Sequence, residues 1–82
     1  MADKINEELE KYYNNLTIEV EYIKIKTYKI FITTNILNNR KVKNIEFCIV
    51  YKWDDKMTTS ANIEQIKYYI DKNLIKGFHK EV

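Results

Sequence analysis

The side chains that could act on a substrate are few: His79, Cys48, Ser60 and the adjacent pair Asp54-Asp55. His79 is the only histidine and falls in a C-terminal tail, with no carboxylate at a spacing that would orient it as a base. It reads as a solvated tail residue. Ser60 stands where a helix needs a cap, and Cys48 lies in mid-strand, where a lone thiol acts as a small hydrophobe. Being the single cysteine, Cys48 can form no intrachain disulfide, and no Cys/His cluster accompanies it to hold zinc. Asp54-Asp55 lacks the further spaced oxygen ligands of a calcium loop. One glycine in the whole chain excludes a Gly-rich phosphate loop. The expectation is therefore a non-enzyme without metal or cofactor.

Cations offer the next kind of chemistry. Lys24, Lys26 and Lys29 cluster at the first turn between strands, and Arg40, Lys41 and Lys43 at the second. In a meander these turns lie at opposite ends of the sheet, so they make two patches and not one groove. Phosphate tracking and ordinary solubilising charge on turns and edges are both open readings. The formal net charge of +2, from 14 basic and 12 acidic residues, is too even to imply nucleic acid by charge alone. It also excludes the acidic surface of a DNA mimic.

The elements that would position these groups follow from hydrophobic period. Residues 3–15 read as an amphipathic helix, capped by Asp3, with Ile5, Leu9, Tyr12 and Leu16 on one face and Asn14-Asn15 as its stop. From Thr17 the period becomes two. Ile18, Val20 and Tyr22 alternate with Glu19 and Glu21, and the change of parity at Ile23 and Ile25 predicts a β-bulge or strand bend that returns them to the buried face. Tyr28, Ile30, Ile32, Thr34 and Ile36 form a second alternating run. Asn38-Asn39-Arg40-Lys41 makes a turn rich in residues that accept positive φ. Ile45, Phe47, Ile49, Tyr51 and Trp53 share one face of a third strand, the most apolar stretch, which is expected at the centre of the sheet. A loop over residues 53–57 leads to a helix capped by Ser60, with Ile63, Ile66, Ile70 and Leu74 as its buried stripe and Gly77 as its stop. Phe78 would fold back on the last turn. The fold class is thus α+β: a three-stranded antiparallel meander flanked by an N-terminal and a C-terminal helix, as one domain over residues 1–82.

Apolar surface remains after that core is built. Tyr68 and Ile75 project opposite the helix stripe beside Glu64, Asp71 and Lys72, and Phe31, Cys48 and Val50 have the parity opposite to the main sheet face. If both helices cover the same face, the sheet residues are exposed and ask for a partner. If one helix packs on each face, they are buried. The first arrangement makes Tyr68, Ile75, Glu64, Asp71, Lys72, Phe31 and Val50 the candidate partner-binding set.

A chain of 82 residues has room for one core and no second. No apolar run approaches the roughly 18 residues of a membrane span. A single thiol and the absence of a signal peptide suit a reducing compartment, so the expected location is cytoplasmic. Ile, Lys, Asn and Tyr make up about half the chain. All four are favoured by AT-rich codons, which points to low-GC bacteria, their phages and mobile elements.

The α-β-β-β-α order is similar to that of double-stranded RNA-binding domains. Their Gly-Pro-x-His loop is replaced here by Ile25-Lys26-Thr27-Tyr28, and their Lys-rich helix start by Ser60-Ala61-Asn62-Ile63-Glu64. None of that family's RNA contacts can be carried over. In size, AT-rich composition and element order the chain resembles the small anti-CRISPR proteins of phages. That resemblance implies steric occlusion: a rigid surface docks on a host effector, such as a CRISPR–Cas component in the host cytoplasm, and blocks nucleic-acid entry or a conformational step. Two alternatives stay open, a nucleic-acid-binding module using Lys24, Lys26, Lys29, Arg40, Lys41 and Lys43, and an antitoxin-like regulator that makes a homodimer through its sheet face.

Overall fold

A computed structural model describes residues 1–79, without the side chains of Ile36, Asn38 and residues 76–79. Helix α1 (Ala2–Tyr12) is followed by strands β1 (Thr17–Lys24), β2 (Thr27–Asn38) and β3 (Lys41–Lys52) and by helix α2 (Thr59–His79). The strands form one antiparallel sheet in the order β1-β2-β3, so the fold is α+β with the expected α-β-β-β-α sequence of elements. The central strand is β2, whereas β3 lies at an edge. The apolar character of β3 comes from the helix above it and not from a neighbour on each side.

Paired residues share a face, and the register sets Ile18 opposite Ile32, Ile32 opposite Phe47, and Ile30 between Val20 and Ile49. These side chains form one core with Ile5 and Leu9 of α1 and with Ile63, Ile66 and Ile70 of α2. Both helices therefore pack on the same side of the sheet. Among the described residues, none covers the opposite side.

Several local expectations shift. Helix α1 starts at Ala2 because the Ile5 amide donates to the Met1 carbonyl at 3.0 Å, which leaves Asp3 in the first turn and not at the cap. Its end is closed by Tyr13 N–H donating to Leu9 O at 3.0 Å. Tyr12 is exposed, and Tyr13 packs against the core in its place. The chain turns extended at Tyr13, which swings its ring inward.

The bulge in β1 is present, between Tyr22 and Lys24. It does not return the isoleucines to the core, because Tyr22, Ile23 and Ile25 are all exposed. Tyr22 lies on the edge strand, while its neighbours across the sheet at that register, Tyr28 and Tyr51, are buried. The β1–β2 turn has no glycine or asparagine and places Lys26 at φ 57°. Thr27 Oγ1 donates to Ile25 O at 3.2 Å, and Trp53 N–H donates to Lys26 O at 2.6 Å, so the turn is held from β3.

Helix α2 is capped by Thr58, whose Oγ1 accepts from Ala61 N–H at 3.1 Å, and Ser60 lies exposed in the first turn. The reason is Asn62, fully buried and bonded on every side. Its Oδ1 accepts from the Tyr51 hydroxyl at 2.7 Å and from Asp54 N–H at 3.0 Å. Its Nδ2 donates to Asp54 O at 2.9 Å and Thr58 O at 3.0 Å. All four hydrogen-bonding positions of the amide are used. The helix must begin where this side chain can clamp the loop. At the other end the backbone stays helical through Gly77 to His79, so Gly77 is no stop and His79 is not in a tail. A glycine inside a helix costs only about 1 kcal/mol against alanine, which a helix of 21 residues absorbs. The expected packing of the Phe78 ring falls outside the described side chains.

Candidate interaction surfaces

None of the described groups that could do chemistry gathers with another. Cys48 is exposed on the uncovered sheet side. Asp54 accepts from Lys56 N–H at 2.9 Å within its own turn, and Asp55 pairs with Lys26. The His79 side chain lies outside the described ones. Among the described residues no group of three or more His, Cys, Asp or Glu could hold a metal ion, and no helix is long and apolar enough to cross a membrane.

The partner-binding candidates divide into two surfaces on opposite sides of the molecule. Taking 100° per residue, Tyr68 and Ile75 lie within about 20° of each other and about 150° from the centre of the buried stripe of α2. They point away from the sheet, and they are 60% and 56% exposed. Their charged neighbours have internal duties. Asp71 Oδ1 accepts from the Tyr13 hydroxyl at 2.7 Å, which fastens the end of α1 to α2, and the same hydroxyl reaches Lys67 O at 3.3 Å. Burial and then the Asp71 hydrogen bond push the Tyr13 phenol far above its ordinary pKa. Glu64 pairs with Lys67 at 3.1 Å, and Lys67 Nζ sits 4.0 Å from the centre of the Tyr12 ring. Lys72 is exposed. Tyr12, Tyr68 and Ile75 are thus outward apolar groups on one helical layer, separated by charges whose positions are fixed.

The second surface is the uncovered side of the sheet. Phe31 is opposite Cys48, and Lys29 is opposite Val50, with Glu19 beside Phe31 on β1. Val50 is exposed, while Phe31 is half-buried with Lys29 Nζ 5.7 Å from its ring centre. Glu19, Glu46 and Lys29 dilute the apolar strip, so this side can face water without a partner.

The basic turns lie at opposite ends, as a meander requires. At the first, Lys24 is exposed, Lys26 is paired with Asp55 and Lys29 is laid on Phe31, so little of this charge is concentrated. The second is different. Pairing of β1 with β2 ends at Thr17 opposite Thr33, whereas β2 and β3 stay paired to Asn38 opposite Lys41. Thr34 still docks, donating to Asn15 O at 3.0 Å. Residues 35–44 then continue as a two-stranded arm. Two strands of 12 residues reach about 40 Å, close to the 44 Å long axis of the molecule.

The arm ends in Asn39 and Arg40 at φ 51° and 65°, a two-residue turn of the type that asparagine and glycine favour. Arg40 in the left-handed region costs about 1–2 kcal/mol that glycine would not. Behind the turn, Leu37 faces Val42 across the strands, and the two are 75% and 72% exposed. Asn44 Nδ2 donates to Asn35 Oδ1 at 3.0 Å at the base. Arg40 and Lys41 are exposed and Lys43 is half-buried.

Sequence reading missed the arm, the Asn62 clamp and the Tyr13 anchor. The arm alone had a signal, in the unequal lengths of the alternating runs. No family model, curated protein or solved structure matches the chain.

Proposed function

We propose that this chain is a non-catalytic binding domain that docks its helical layer on a protein and obstructs it. The observation that carries this reading is the outward pair Tyr68 and Ile75, more than half exposed and in register on α2. Tyrosine is a frequent anchor at interfaces, since it brings a large apolar body and a polar tip with few torsions to immobilise. The fixed charges of Glu64, Lys67 and Asp71 supply a polar rim at little further ordering cost.

The finer reading follows the resemblance to the small anti-CRISPR proteins of phages. The partner is then a host defence effector, such as a CRISPR–Cas component, and inhibition is steric. The test is plasmid interference in cells that carry an active CRISPR–Cas effector, with and without this chain. Protection of a targeted plasmid supports the inhibitor reading. Plasmid loss at the same rate with and without the chain, across effectors from low-GC bacteria, overturns it.

A second reading, nucleic-acid binding, is favoured by one observation, the charge of the β2–β3 arm.

A further inference from the structure

Residues 35–44 carry Arg40, Lys41 and Lys43 and no acid. Removing those three from the 14 basic residues leaves 11 against 12 acids, a net −1 for the rest of the chain. The positive charge of this protein therefore resides in a two-stranded ribbon that projects beyond the third strand.

We propose that this arm enters the major groove of duplex DNA and favours A·T pairs. The groove is about 12 Å wide and admits a two-stranded β-ribbon. The deep, narrow major groove of duplex RNA does not. Arg40 and Lys41 stand at the tip, where the flanking phosphates would lie. The face carrying Asn35, Leu37, Val42 and Asn44 would meet the base edges.

That face has the chemistry to read an A·T pair. The hydrogen bond from Asn44 to Asn35 consumes one amide proton and one carbonyl lone pair. The NH₂ of Asn35 and the carbonyl of Asn44 are left as a free donor and a free acceptor on neighbouring amides. Adenine presents the complement in this groove, the N7 acceptor beside the N6 donor. Exchanging the two amide orientations leaves the same donor and acceptor, so the match does not depend on that assignment. Leu37 and Val42, exposed with no core to join, suit contact with the thymine methyl. The left-handed Arg40 is consistent with this use. Glycine would relax the turn, but it would remove a cation from the leading edge.

This inference rests on the arm and is independent of the helical layer, so Tyr68→Ala with Ile75→Asp should leave it unchanged. The experiment is fluorescence anisotropy of the full chain with 20-base-pair A·T-rich and G·C-rich duplexes at 50 and 200 mM salt. Two phosphate contacts give a salt slope near −1.8, or about a 12-fold affinity loss over that range. For Arg40→Gly, a change the turn geometry welcomes, the expected loss falls to about 3.5-fold while the melting temperature holds or rises. Asn35→Ala with Asn44→Ala should keep the salt slope and erase the preference for A·T. No binding at 50 mM salt overturns the proposal, as does binding that Arg40→Gly with Lys41→Gln leaves intact. Equal affinity for heparin, or for an acidic polypeptide such as polyglutamate, overturns it too, because the arm would then be a general anion site.

Discussion

The Tyr51 hydroxyl donates a 2.7 Å hydrogen bond to Asn62 Oδ1 inside the core, joining the end of β3 to the first turn of α2. The same amide holds the backbone at Asp54 and Thr58. A buried polar group is costly unless satisfied, and this one is satisfied at every position. It fixes where the loop closes, and with it how α2 lies on the sheet.

Removing the amide should hurt more than removing the phenol. Asn62→Ala strands the Tyr51 hydroxyl and the Asp54 amide, while the Asp54 and Thr58 carbonyls keep their backbone donors, and the expected loss is about 3 kcal/mol in urea unfolding. Tyr51→Phe removes one bond, and about 1 kcal/mol is expected. If Asn62→Ala unfolds within about 0.5 kcal/mol of the parent (a margin typical of surface changes), the clamp does not hold the loop.

Alkaline pH should weaken the fold through two phenols. Burial, followed by the charge of Asp54, raises the Tyr51 pKa, and burial with the Asp71 hydrogen bond raises that of Tyr13. A raised pKa means that the fold favours the protonated form. The stability is fully present below the unfolded value of about 10 and is lost as pH rises through the folded values. Melting temperature should hold from about pH 7 to 9 and fall above about pH 10. Tyr13→Phe with Tyr51→Phe should shrink that fall, and an unchanged fall in the double variant would refute the assignment.

Core substitutions should rank by burial. Ile66 is fully buried between α2 and the sheet, and Ile66→Ala should cost about 2–5 kcal/mol. Phe47 is half-buried toward the β3 edge, so Phe47→Ala should cost less, about 1–2 kcal/mol, against the larger loss typical of a fully buried phenylalanine. Circular-dichroism melts in which Phe47→Ala is the more damaging would contradict this ranking by burial.

Residues with strict period were legible in the amino-acid sequence. Ile30, Ile32 and Ile49 alternate cleanly, and Ile63, Ile66 and Ile70 keep one helical face, so element order, the sheet face of the main core and the turn at Asn39 could be read, whereas the placement of both helices on that face could not. Positions decided by tertiary contact were not. Tyr12 and Tyr13 are both aromatic, and only the partners Asp71 and Lys67 O determine which one turns inward. Asn62 resembles any surface amide in sequence, and its burial depends on Tyr51 eleven residues earlier. The exposure of Tyr68 and Ile75 was legible from their helical angle. That Glu64 and Asp71 beside them are already engaged was not.

The placement of the docking surface is tested most directly by affinity. If the plasmid-interference assay identifies an effector, isothermal titration against it would compare the parent with Tyr68→Ala/Ile75→Asp and Arg40→Glu/Lys43→Glu. Neither Tyr68 nor Ile75 belongs to the core, so the helix variant should keep its melting temperature. It is expected to lose at least about 1 kcal/mol of binding, a fivefold or greater rise in Kd, while the arm variant binds the protein as the parent does. Normal binding by the helix variant, with loss in the arm variant, would contradict the account and move the docking surface from α2 to the hairpin.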